Sequence, residues 1–389
     1  MSNHFDVLIV GAGMVGAAAA IALGQQGWSV GLIETNQPQA FEPEQPMDLR
    51  VSAISAASEQ LLQSLGAWDA IAAMRVTPYD TLATWEWHDS EVSFCADDLQ
   101  HSHLGHIVEN RVVQLGLWQQ LQQLDNVTLV LGQSPTDISQ NEAGVSLVIG
   151  DERYHTSLLL GCDGAQSKVR QAAQIGVTGW NYRHHCLIIN IATEMEQQRI
   201  TWQQFFPSGP RAFLPLTGKQ GSLVWYDSPE RIAELKRLDK SELAEQITLA
   251  FPERLGAFEV ERLASFPLTR QHAQRYYHNR MVLLGDSAHT INPLAGQGVN
   301  LGFKDVAALA EVMAKVHRSE LEADIRPELA KYERLRRNDN LRMQGAMDLF
   351  YNVFSNDILP LKLVRNIGFK IAQNAGPIKH QVMRYAMGL

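Results

Sequence analysis

Two hydrophobic periods alternate along this chain. Phe5-Asp6-Val7-Leu8-Ile9-Val10 is short, branched and apolar, the pattern of a buried parallel strand. The Ala-rich stretch that follows predicts a helix through about Gln26, Gly27 a helix stop, and Trp28 to Ile33 a second strand ending at Glu34. Buried strands are predicted again at Ser157–Cys162, leading to Asp163-Gly164, and at Arg280–Leu284, leading to Gly285-Asp286. Between these pieces the pattern becomes alternating. Thr81–Trp87, Cys186–Ile191, Thr201–Phe206, Ala212–Leu216 and Ser222–Tyr226 read as strands of a second sheet, interrupted in sequence by the first.

The first strand and helix are joined by Gly11-Ala12-Gly13-Met14-Val15-Gly16. Gly11 allows the tight turn, Gly13 lets a pyrophosphate approach the backbone, and Gly16 lets helix and strand pack closely. The helix N-terminus offers free N–H groups and the positive end of a dipole to phosphates. Glu34, 23 residues after Gly11, stands where a carboxylate accepts hydrogen bonds from an adenosine ribose. Strand, turn, helix, strand and acid in this order point to a dinucleotide, with FAD and NAD both open. The later strand ends narrow the choice. An aspartate at a strand's carboxyl edge suits hydroxyl recognition. The stretch Asn292-Pro293-Leu294-Ala295-Gly296-Gln297-Gly298-Val299-Asn300 then puts unpaired N–H groups at a helix start, where a flavin pyrimidine edge can be cradled.

Composition adds exclusions. The net charge of −9 argues against a nucleic-acid partner, and 389 residues with 45% hydrophobic suffice for two interleaved domains. Cys95, Cys162 and Cys186 are far apart and form neither a disulfide framework nor a zinc pattern. His101, His103 and His106 (HSHLGH) match no common ligand spacing, so no metal is expected. With no basic leader and no long apolar run, neither a signal peptide nor a membrane span is expected, and a cytoplasmic location follows. The first 167 residues hold no lysine and only Arg50, Arg75, Arg111 and Arg153, which makes each arginine informative.

At these residues the chain closely resembles the flavoprotein aromatic hydroxylases of the para-hydroxybenzoate hydroxylase type, whose three signatures occur here in order. The resemblance implies an α/β fold: a Rossmann-like FAD-binding domain interleaved with a mixed β-sheet substrate domain, and a helical C-terminus. The expected boundaries are 1–77 with 104–178 and 275–345 for the first domain, 78–103 with 179–274 for the second, and 346–389 for the helical segment. It implies that Gly11, Gly13 and Gly16, with Met14 in the same turn, and Glu34 hold the ADP half of FAD. Asp286 would bind the ribityl chain. Pro293, Gly296, Gln297 and Gly298, with Asn300 just beyond, would line the isoalloxazine. Asp163 would help position the cofactor and take part in binding reduced nicotinamide. Arg50 and Arg111 match positions of flavin-contacting arginines, whereas Arg75 and Arg153 read as ordinary surface charges.

Within that family the likeness is greatest to the ubiquinone-biosynthesis hydroxylases, through Asp48-x-Arg50-x-Ser52-Ala53-Ile54-Ser55, the 292–302 segment and Thr84-Trp85-Glu86-Trp87. It implies hydroxylation of a polyprenyl methoxy-methyl-benzoquinol by O2, through a flavin C4a-hydroperoxide, with NAD(P)H as electron donor; a sister hydroxylase acting at another ring position of a polyprenylphenol shares the cofactor residues and stays open as the alternative. A complex with other proteins of that biosynthesis would be compatible. Such chemistry belongs to the cofactor, which accounts for the absence of an acid–base dyad in the sequence. Trp202, Phe205, Phe213, Trp225 and Tyr226 are candidates for a quinol pocket and equally for ordinary sheet core. From Ile358 to Leu389 the chain carries Lys362, Arg365, Lys370, Lys379 and Arg384 and no acid. Leu361, Leu363, Val364, Ile367 and Phe369 interleave with them, as in an interfacial helix at the inner face of a membrane, or in a solvated or partner-docking face. An NAD-dependent dehydrogenase would have no need of Gly285-Asp286. A flavin halogenase would need a lysine before Lys168 and the Trp-x-Trp-x-Ile-Pro ending that Trp85-Glu86-Trp87-His88 lacks. A flavin-binding scaffold is the third alternative.

Overall fold

A computed structural model describes residues 3–291 and 298–373, together with residues 376, 380, 381 and 387. Its first sheet is built on four parallel strands in the order Glu152–Gly161, His4–Val10, Val30–Glu34, Val127–Leu131. Met281–Leu283 adds in parallel beyond Glu152–Gly161, and an antiparallel meander, Thr136–Gln140 with Val145–Ile149, leaves the same strand. Both faces of this sheet are covered, so its strands are continuously apolar rather than alternating: Val7, Leu8 and Ile9 are fully buried. Truncating Leu8 to Ala in such a core costs about 2–5 kcal/mol.

The helix Met14–Gln25 is mostly alanine and glycine on its buried side, which lets it lie close to the sheet and to the helix Gly298–Met313. A Cβ on Gly302 would stand 2.5 Å from Val15 Cγ2, so the second contact requires glycine. The strand expected from Trp28 begins instead at Val30, because Asn126 Nδ2 takes the carbonyls of Gly24 and Trp28 and holds this segment as a turn.

The second sheet is mostly antiparallel, running Phe258–Ala273, Val177–Thr193, Gln220–Asp227, Arg211–Pro215, Ile200–Gln204, Thr81–Trp85, Val92–Cys95. Among the described residues its one parallel pair joins Ile200–Gln204 to Thr81–Trp85. Cys186–Ile191 is the buried middle of a far longer strand, extended by pairing with Phe258–Ala273. That partner was hidden in sequence by Pro267. The proline sits beside a register shift, where the missing N–H costs no ladder bond. Val51–Ser55, Gly105–Glu109 and Thr77–Tyr79 form a third, antiparallel three-stranded sheet. At the C-terminal end come the long helix Arg326–Phe354 and the helix Leu359–Gln373. No helix among the described residues is long and apolar enough to cross a membrane.

Candidate active site

A cavity of about 980 Å³ opens at the carboxyl ends of the strands His4–Val10, Glu152–Gly161 and Met281–Leu283. Such an edge of a parallel sheet is where α/β folds bind ligands. Its polar end is formed by Gly13, Met14, Arg50, Gly164, Gly285 and Asp286. The second sheet supplies a wall that includes Ile188, Trp202, Tyr226 and Pro267. The far end is apolar: Leu82, Val92, Phe94, Leu104 and Phe369.

The turn after the first strand is built as its glycines require. Gly11 has φ +97°, and a Cβ there would lie 2.4 Å from the Cys162 carbonyl oxygen. A Cβ on Gly16 would lie 1.8 Å from the Gly11 carbonyl oxygen. Nothing lies within 4 Å of the Cβ position of Gly13, so this residue faces open space in the cavity. Trp118 Nε1 and Gln114 Nε2 both donate to the Ala12 carbonyl, at 2.8 and 2.9 Å, and pin the turn from outside. Glu34 Oε2 accepts the Ala12 N–H at 2.8 Å, while its other oxygen accepts the N–H groups of Thr35 and Asn36. A carboxylate offers roughly four lone-pair positions, so acceptor capacity remains for a hydroxyl.

Asp286 presents its carboxyl to the cavity, and enclosure by surrounding protein raises its pKa, with Arg50 and His289 pulling the other way. The Gly285–Asp286 turn rests on a buried polar network. Asp305 Oδ2 accepts the Gly285 N–H at 2.9 Å and also meets His289 Nε2; Asp305 Oδ1 accepts from Arg336 Nε at 2.8 Å and Asn340 Nδ2 at 3.2 Å. Burial pushes the Asp305 carboxyl up, but His289 and Arg336 outweigh it and hold the pKa below the ordinary value. Arg170 is buried between the two aspartate motifs, donating to Ser287 O at 2.9 Å and Ala165 O at 2.7 Å. Sequence reasoning missed both Asp305 and Arg170. Asp305 did leave a signal: an acid between Leu301 and Leu309, four residues away on either side of a buried helix face, must be paired.

The sequence-predicted residues fall into several distinct placements. Gly13, Met14, Arg50, Asp286 and Gly298 line the cavity together, and Gly11, Gly16 and Glu34 shape the turn beside it. Asp163 uses Oδ2 to cap the helix Lys168–Ala172 through the Lys168 and Val169 N–H groups; its Oδ1 is buried without a partner, an acceptor left for something else. Two residues are placed differently from expectation. Arg111, in the first turn of the helix Asn110–Leu121, spends its guanidinium on both Asp48 oxygens, at 2.8 and 3.1 Å, and on the Gln39 and Ala40 carbonyls, so the 39–48 segment takes the donors expected to face the cavity. Asn300 is buried against the third sheet, donating to Ala53 O and accepting from Ser55 N and Ser58 Oγ, so it positions the start of its helix. Pro293, Gly296 and Gln297 lie outside the described residues. Of the aromatic candidates, Trp202 and Tyr226 reach the cavity. Phe213 and Trp225 are core, and Phe205 stacks on Phe354 at 4.1 Å.

These features suit FAD. Neighbouring backbone excludes a Cβ at Gly11 and Gly16, Gly13 is open to the cavity, the Asp163 acceptor is unpaired, and one continuous cavity joins the turn to Asp286. The FAD binding domain family matches residues 4–340. The 3-demethoxyubiquinol 3-hydroxylase of Escherichia coli (strain K12) is 46% identical over 386 residues, covering 99% of this chain and 98% of that protein. The ubiquinone hydroxylase UbiL of Rhodospirillum rubrum is 34% identical, over 98% of this chain and 89% of its own length. The ubiquinone biosynthesis monooxygenase COQ6 of Xenopus tropicalis is 33% identical, over 98% and 93%. Among solved structures, p-nitrophenol 4-monooxygenase PnpA from Pseudomonas putida DLL-E4 superposes with a TM-score of 0.78 at 20% identity, covering 100% of this chain and 97% of that one, a likeness of fold. The chain belongs to the FAD binding domain family and, within it, to the FAD-dependent monooxygenases that include the ubiquinone-biosynthesis hydroxylases.

Proposed function

We propose that this chain hydroxylates the ring of a polyprenyl methoxy-methyl-benzoquinol in ubiquinone biosynthesis, using O2 and electrons from NAD(P)H. The observation that carries this reading is the shape of the cavity: a polar end at Asp286 and Gly13 continues into an apolar end at Leu82, Phe94, Leu104 and Phe369. A ring with a long hydrocarbon tail needs both ends. The near-complete coverage at 46% identity by a relative named for demethoxyubiquinol hydroxylation supports the ring position.

Bound flavin would supply the activated oxygen, and the protein's share is to hold it and exclude water. The Gly11–Gly16 turn and the helix N-terminus behind it would take the pyrophosphate, Glu34 a ribose hydroxyl, and Asp286 the ribityl hydroxyls. Arg50 brings a positive charge to the same end. Asp163 would accept a hydrogen bond through its unpaired oxygen. Trp202, Tyr226 and Pro267 form the wall against which an aromatic ring would lie.

The apolar end lies under the helix Leu359–Gln373, whose outer side exposes Leu361, Leu363, Val364 and Ile367. We propose that this side meets the inner face of the membrane, so that the tail passes from lipid into the cavity. Of its basic residues, one is buried and two sit in surface ion pairs. Arg365 is buried against Glu86, Lys370 pairs with Asp89, and Lys362 with Asp357. We read the membrane contact as carried chiefly by these apolar residues, the apolar part of the interleaved pattern expected from the sequence; Lys379 and Arg384 lie outside the described residues.

The direct test is turnover of the purified flavoprotein with NAD(P)H and a short-tailed methoxy-methyl-benzoquinol under 18O2. The expected product is heavier by one 18O atom at the unsubstituted ring carbon. An unlabelled product, or oxidation of NAD(P)H with no hydroxylated quinol, would refute the assignment.

A further inference from the structure

The HSHLGH segment holds a grouping that its spacing did not predict. His101 takes no part. His103 and His106 instead converge on Glu59, which arrives from the first turn of the helix Ala56–Ser64. Glu59 Oε2 lies 2.8 Å from His103 Nε2 and 3.2 Å from His106 Nδ1. The three ligand atoms fall within 4.8 Å of one another. We propose that Glu59, His103 and His106 form a binding site for a divalent transition cation of the zinc type.

Three observations carry this beyond a pair of ionic contacts. First, His106 is buried, and its Nδ1 faces Glu59 Oε2 at 3.2 Å without hydrogen-bond geometry and without a second acceptor. A badly aligned contact leaves part of the cost of burying that nitrogen uncompensated, and a cation bound by both groups would offset it. Second, each of the other two ligands has an outer partner of the kind that orients metal ligands. His103 Nδ1 meets Ser102 Oγ at 2.9 Å, and Glu59 Oε1 accepts from Gln63 Nε2 at 3.1 Å. Third, Trp68 packs edge-on against the His106 ring at 5.0 Å and holds its orientation. Two imidazoles and one carboxylate match the preferences of zinc, which takes His nitrogen and carboxylate oxygen and leaves a fourth position for water.

The position suggests what the cation would do. Glu59, His103 and His106 are not cavity-lining residues, but Leu104, between the two histidines, is. The ion would tie the 103–106 segment to the helix Ala56–Ser64, whose N-terminal Ser55 and Ser58 hold Asn300. It would act as a clamp on the cavity wall, with no part in oxygen chemistry.

The test uses the purified FAD-loaded chain, stripped with EDTA and then titrated with ZnCl2 at pH 7.5. Metal content after gel filtration and the thermal unfolding midpoint are read together. One zinc retained per chain and a zinc-dependent rise in the midpoint are expected. Both should vanish in Glu59→Gln and in His103→Gln, and survive in His101→Ala. His103 is partly exposed, so its variant tests the site even if the Glu59 variant folds poorly. Ser102→Ala should weaken zinc retention on the order of 10- to 100-fold, the usual effect of removing an outer-shell partner. No retained zinc in the unmodified chain, equal retention in the His103 variant, or loss in His101→Ala would each overturn the proposal.

Discussion

The Asp305 carboxylate accepts the backbone N–H of Gly285 at 2.9 Å, so the turn that presents Asp286 to the cavity hangs on a buried acid twenty residues further along. The same carboxylate is held by His289, Arg336 and Asn340. Asp305→Ala would leave Arg336 buried without its main partner and the turn unsupported. Removing one member of a buried charge network costs about 3–5 kcal/mol. The expected outcome is a lower urea midpoint together with reduced flavin content. Unchanged stability would contradict the network's role.

The glycine turn separates folding from cofactor binding. Gly16→Ala places a methyl 1.8 Å from the Gly11 carbonyl oxygen and should impair folding. Gly13→Val adds bulk into open space, so the chain should fold with normal circular dichroism but purify without yellow colour. Asp286→Ala should also lose flavin. The ratio of flavin to protein absorbance, set beside circular dichroism, distinguishes the three.

His272 makes stability pH-dependent. Burial, with repulsion from His289 and Arg337, lowers its pKa from 6.5 to about 4. Between those values the unfolded chain takes up a proton that the folded chain refuses. Stability is therefore fully present above pH 6.5 and falls as the pH drops from 6.5 towards 4, by on the order of 3 kcal/mol. His272→Leu should flatten that part of the curve, measured as urea midpoints across the range.

Glu86 and Arg365 join the helix Leu359–Gln373 to the second sheet through two contacts of 2.6 and 3.0 Å, both groups buried. Arg365→Ala should release the helix, seen as faster proteolytic cleavage in the 358–373 segment. The paired variant Glu86→Gln with Arg365→Met should be less damaging than either alone, since neither charge is then stranded. A double-mutant cycle reads the coupling.

On the outer side of that helix, Val364 is 66% and Ile367 56% exposed. Large apolar residues exposed in a contiguous group mark an interaction surface. Val364→Glu with Ile367→Glu should reduce flotation with liposomes while leaving flavin content unchanged. Equal flotation would remove the membrane reading of this surface.

The parallel half of the fold was legible because its strands are short, buried and apolar, and because Gly11, Gly13 and Gly16 have local reasons to be glycine. The antiparallel half was legible only in part. Phe258–Ala273 mixes Pro267 with polar residues and becomes a strand only through its partner Val177–Thr193. Site residues followed the same rule. Gly13 and Asp286 are read from their immediate neighbours, whereas the pairing of Arg111 with Asp48, 63 residues away in sequence, was not legible. Arg365 looked like part of a cationic surface until Glu86, 279 residues away, was seen to bury it. Long-range pairing is what a local pattern cannot carry.

Product analysis in a strain lacking this chain tests the central claim most directly. The expected result is accumulation of the polyprenyl methoxy-methyl-benzoquinol and its disappearance when the gene is restored, but not when the Asp286→Ala variant is supplied. Accumulation of an earlier polyprenylphenol instead, or normal ubiquinone without the chain, would contradict it.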